Sequence, residues 1–239
     1  MSKDHARITQ ALHLALAGVA FGVIEGAVVM YLRQISYPEG FAFPLAMPPA
    51  LVLRTELVRE VATLLLLAGI AGACARSFIR RFAIFGYLFG IWDLIYYATL
   101  KVALDWPASL MTWDVLFLIP APWASPVLAP ILVSLALVAG GLSVVLMDEA
   151  LPMRSRFSDW ILGILGAGIM LASFLWNAGA LTRGGAGILG VPGAFPWWLF
   201  AAGWLIASGG GLRLISRLRA QARRKLRAGK GTPLEELDP

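Results

Sequence analysis

Charge is scarce in this chain of 239 residues. Only 14% of them are Asp, Glu, Lys or Arg, where a soluble domain carries ~25%. That deficit argues against an ordinary cytosolic enzyme, a nucleic-acid module and a disordered chain. Cysteine is almost missing. Cys74 stands alone, so no disulfide can form within the chain; it lies in an apolar run and is expected to be a small packing residue. Histidine is limited to His5 and His13, both early in the sequence. Zinc, copper and haem sites normally draw on His or Cys. The shortage therefore disfavours those centres, intramembrane metalloproteases and Ser-His hydrolases. An all-oxygen site for Mg²⁺, Ca²⁺ or Mn²⁺ is the remaining metal chemistry, and no metal or other cofactor is assigned.

Apolar sequence is what abounds: 59% of the residues are hydrophobic, and the mean hydropathy is +0.76. A spanning helix needs ~20 apolar residues, and six such segments can be drawn, at about 8–32, 51–75, 82–100, 125–147, 160–178 and 195–215. The fold class expected is an all-α integral membrane protein of about six transmembrane helices. Residues 1–216 read as a single bundle and 217–239 as a basic amphipathic cytoplasmic tail. The first apolar run continues past Ala17 to Leu32. It is therefore read as a span rather than a cleaved signal peptide.

Charge distribution sets an expected orientation. Lys3, Arg7, Arg76, Arg80, Arg81, Arg154, Arg156 and the eight basic residues of 213–230 fall on one side. Arg33, Lys101 and Arg183 fall on the other. By the positive-inside rule both termini face the cytoplasm. The protein is expected in a plasma membrane, a bacterial inner membrane in the simplest case, as a multi-pass protein. In the tail, Ile215, Leu218, Ala222 and Leu226 recur at helical spacing among arginines. That pattern suits anionic lipid headgroups rather than nucleic acid. A homo-oligomer or a larger membrane complex remains open as a partner.

The longer connections lie on the outer side. Residues 34–50 hold Tyr37-Pro38, Pro44, Pro48 and Pro49, and residues 102–124 hold Trp106-Pro107, Trp113-Asp114, Pro120, Pro122 and Trp123. The stretch 115–119 is apolar but too short to span, and is expected to dip into the membrane only if packed in protein or lining a cavity. Gly185, Gly187 and Gly190 spell G-x-G-x-x-G without a preceding strand, and read as a flexible turn. Asn177 reads as a helix cap or a cavity-lining group.

The first and third segments match. Gly18, Phe21, Gly22 and Glu25 are followed eight residues later by Arg33; Gly86, Phe89, Gly90 and Asp93 are followed eight residues later by Lys101. The offset is 68 throughout. The match predicts a parallel repeat of two helix hairpins, segments one–two and three–four, related by an axis along the membrane normal. Small residues at four-residue spacing allow close helix approach, so each acid is expected on a packed face, near the middle of its span.

A charge at the bilayer centre costs ~2.5–3.5 kcal/mol on insertion scales. Glu25 and Asp93 therefore need partners or protons. The second segment adds Glu56, Arg59 and Glu60 at matching depth. Tyr97, one turn beyond Asp93, is expected as a possible hydrogen-bond donor to it. Glu25, Asp93, Glu60, Arg59, Glu56 and Tyr97 are accordingly the candidate substrate- or ion-binding residues, with no catalytic residue assigned. Three functions fit: a small-solute or ion transporter, proton-linked; a non-catalytic subunit or assembly factor of a membrane complex; and a membrane-embedded enzyme on a lipid or quinone-like substrate, with the carboxylates as acid and base.

Overall fold

The computed structural model describes residues 3–41, 43–46, 48–118, 121–148, 153–182 and 188–230, the side chains of 3, 188, 189 and 225–230 excepted. Arg183, Gly185 and Gly187, Ile119 and Pro120, and the last nine residues of the tail lie outside the described residues.

Proline and small polar residues set several helix limits. Helix α1 (Lys3–Ser36) stops ahead of Tyr37-Pro38, because the residue before a proline is pushed out of the helical region. Helix α2 (Ala50–Cys74) starts directly after Pro48-Pro49, where a missing N–H costs nothing. The Ser77 hydroxyl caps α3 (Phe78–Leu104) by accepting the Arg80 N–H at 3.3 Å. At its far end α3 turns off at Asp105, in the left-handed region with φ 50°. Helices α4 (Leu128–Val145), α5 (Phe157–Leu175), the short α6 (Ala178–Thr182) and α7 (Trp197–Lys230) follow.

Six of these helices, α6 being too short by itself, are long and apolar enough to cross a membrane. Large apolar side chains such as Leu12, Leu16, Val58, Leu65, Ile164 and Leu205 point outward, while Glu25, Glu60, Asp114 and Asp159 are buried. Apolar outside and charged inside is the arrangement a hydrocarbon solvent favours.

Glycines bring three helix pairs into backbone contact. A Cβ on Gly22 of α1 would lie 2.7 Å from the Trp92 carbonyl oxygen of α3. On Gly90 of α3 it would lie 2.6 Å from the Ser134 carbonyl oxygen of α4, and on Gly166 of α5 2.6 Å from the Gly203 carbonyl oxygen of α7. Helix α3 is thus sandwiched between α1 and α4, and α5 pairs with α7. Helix α2 leans mainly on α3 and scarcely meets the α1 backbone. The α1–α2 and α3–α4 hairpins are therefore packed differently, although the repeated glycines do sit at helix contacts.

The helical bundle also contains two short ribbons, an addition to the all-α expectation. Strand β2 (Trp113–Phe117) pairs antiparallel with β3 (Trp123–Pro126), with Asp114 opposite Ser125. Strand β1 (Leu45–Ala46) pairs with β4 (Ile188–Leu189). The β2–β3 hairpin, covering most of the short apolar stretch, packs its β3 strand against α4 and α5.

The basic end is tied by arginines. Arg80 donates to the Val145 and Met147 carbonyls beyond the last turn of α4, at 2.7 and 2.9 Å. Arg217 of α7 holds Asp159 of α5 at 2.6 Å. Helix α7 runs without a break through position 216. Leu218 is core, packed with Ile79, Ala83 and Val144.

Candidate functional site

Three helices carry acids to the same level. Glu25 lies eleven residues from the end of α1, Asp93 eleven from the end of α3, and Glu60 ten from the start of α2. At 1.5 Å per residue all three stand ~15 Å in from the same end of the bundle. Between them is a cavity of about 280 Å³, closed on a fourth side by α4 and on top by the β2–β3 hairpin. Its wall includes all six candidate residues: Glu25, Glu56, Arg59, Glu60, Asp93 and Tyr97.

Arg59 is the hub of the α1–α2 wall. It donates to Glu25 through Nη1 and to Glu56 through Nε at 2.8 Å and Nη2 at 2.7 Å. Glu25 is only 6% exposed, which a carboxylate tolerates when paired. Glu60 turns the other way. Both its oxygens accept the Leu118 N–H, at 3.1 and 3.2 Å, so α2 grips the inner end of the hairpin. Asp93 faces α4, where the Ser134 hydroxyl donates to Oδ2 at 2.8 Å. Among the described residues no basic side chain pairs with Asp93.

Tyr97 does not serve Asp93. Its hydroxyl donates to Asp114 Oδ2 at 3.1 Å. The tyrosine reaches past the short aspartate on its own helix to the β2–β3 hairpin. Asn177 lines no part of the cavity; its Oδ1 accepts the Gly193 N–H at 2.9 Å and ties the chain between α5 and α7.

Sequence reasoning missed the layer nearer the cavity mouth. Arg33 and Asp114 form an ion pair at 3.1 Å, with side chains 7% and 2% exposed. The Arg33 guanidinium carbon sits 4.0 Å from the Phe41 ring centroid and 3.7 Å from that of Trp106, a cation–π sandwich. Burial pushes the Asp114 carboxyl above its ordinary range, against the pull of Arg33, the Tyr97 hydroxyl and the Val115 N–H. The available signal was the acid itself, set among the apolar residues Trp113 and 115–117.

Among the described residues, no three His, Cys, Asp or Glu side chains converge as metal ligands do. The arrangement sets carboxylates and guanidiniums facing one cavity. No protein-family profile, curated protein or solved structure matches the chain.

Proposed function

We propose that the protein is a small-solute or ion carrier, proton-linked, with this cavity as its binding site. One observation carries the reading. Five carboxylates, Glu25, Glu56, Glu60, Asp93 and Asp114, line one cavity with two guanidiniums, Arg33 and Arg59. Such an excess of acid away from water is costly unless protons or a solute balance it. A site that trades a proton for a solute has a use for the imbalance. The experiment is flux in proteoliposomes containing a pH-sensitive dye, screened with solutes. Glu25→Gln and Asp93→Asn are expected to abolish solute-driven proton movement while the protein still inserts and folds. Stable variants with unchanged flux would refute the carrier.

One observation favours a second reading, a structural subunit of a membrane complex. Glu25 and Glu56 are already held by Arg59, and Glu60 by the Leu118 N–H. In that case Glu25→Gln lowers yield and thermal stability first, because Arg59 loses a partner inside the protein.

A further inference from the structure

We infer that the cavity selects an organic ammonium ion with an apolar body, seated on Asp93. The inference rests on reading the cavity as a solute site and names the solute's chemistry. It starts from the spacing on α3. Around Asp93 stand Phe89 at i−4, Trp92 at i−1, Tyr96 at i+3 and Tyr97 at i+4, and all five line the cavity. A carboxylate is thus set within an aromatic surface. Phe89 and Trp92 rings lie 5.1 Å apart at 60° to one another, and those of Tyr96 and Tyr97 4.9 Å apart at 66°.

The charge balance points the same way. Of the two guanidiniums in the wall, Arg33 is paired with Asp114 through Nη2, its buried Nη1 having no acceptor among the described residues, and Arg59 is divided between Glu25 and Glu56. Glu60 has a backbone N–H. Asp93 has one neutral hydroxyl, from Ser134, and Oδ1 bears no hydrogen bond from the described residues. A cation therefore has one under-compensated anchor.

The kind of cation follows from the walls. A bare Na⁺ or Mg²⁺ exchanges water for several oxygens, and aromatic rings do not supply them. An alkyl- or arylammonium has few hydration sites to lose, donates to a carboxylate and is attracted to ring faces. Its apolar body suits a largely apolar cavity of about 280 Å³. An anion would face surplus carboxylate. Exchange at Asp93 conserves charge: the carboxyl gives up a proton as the ammonium arrives and regains one as it leaves.

The test uses the full chain in lipid nanodiscs. Phenethylammonium, its neutral analogue 2-phenylethanol, the anion benzoate, and Na⁺ are titrated, with tryptophan fluorescence and thermal shift as readouts. Saturable binding of phenethylammonium alone is expected, weakened about tenfold or more by Asp93→Asn, the scale of one charged hydrogen bond. Equal binding of 2-phenylethanol or benzoate overturns the assignment, as does absence of phenethylammonium binding or its indifference to Asp93→Asn. Should that variant fail to fold, the wild-type preference for ammonium over the neutral analogue decides alone. Failure here leaves the carrier standing if another solute drives proton flux. Ammonium binding without any flux removes the carrier and keeps the site.

Discussion

Arg33 and Asp114 stand 81 positions apart in the chain and meet at 3.1 Å inside the protein. Their bridge fastens the outer part of the β2–β3 hairpin to the end of α1. Neither partner has water to fall back on. Asp114→Asn is therefore expected to cost about 3–5 kcal/mol, the scale of a broken buried pair. The double variant Arg33→Met/Asp114→Leu should recover most of that loss, because it leaves no buried charge behind. Thermal unfolding in one detergent compares the three proteins. A double variant no better than Asp114→Asn would mean that the bridge has another role than neutralising Arg33.

The grip of α2 on the hairpin gives a second expectation. Glu60→Gln keeps an acceptor for the Leu118 N–H, whereas Glu60→Leu removes it. Amide hydrogen exchange across 113–118 should speed up more in Glu60→Leu than in Glu60→Gln. Equal protection in both would show that the hairpin is held without α2.

Glycine substitutions separate packing from propensity. Gly90→Ala puts a methyl 2.6 Å from the Ser134 carbonyl oxygen. It should destabilise by about 1–3 kcal/mol, the usual cost of overpacking. Gly69 on α2 has open space around it, so Gly69→Ala should be neutral or stabilising by up to about 1 kcal/mol. Thermal midpoints of the two single variants test this contrast.

Orientation is open to a direct assay. Positive-inside counting expects a reporter that is active only outside the cytoplasm to stay silent when fused after Pro239. A strong signal there would reverse the assignment of the basic end.

The helices were legible because long apolar runs leave little choice of structure. Glu25 and Asp93 stood out because a charge inside such a run has no routine explanation. Arg33 and Asp114 did not, because each borders a connection where charge is ordinary; only a pairing distant in sequence makes them partners. The depth of the β2–β3 hairpin was hidden for the same reason, since five-residue strands pair by tertiary context. Tyr97 was found, but with the wrong acceptor, because periodicity gives a shared face and not the reach of a side chain. At position 216 composition changes from apolar to basic while helix α7 runs on.

Helix α2 is fixed by unlike means at its two ends. Its C-terminal half sinks Leu67 and Ala71 into the core beside Leu14, Ile84 and Leu88. Its N-terminal half is tethered by Arg59 to Glu25 and by Glu60 to the hairpin. That makes the helix a lever, with an oily fulcrum and an ionic catch. Glycine seams such as Gly166–Gly203 answer to steric volume and are indifferent to charge. The catch is made of charged groups, so substitutions that alter charge are expected to loosen that end of α2 and leave its apolar end in place.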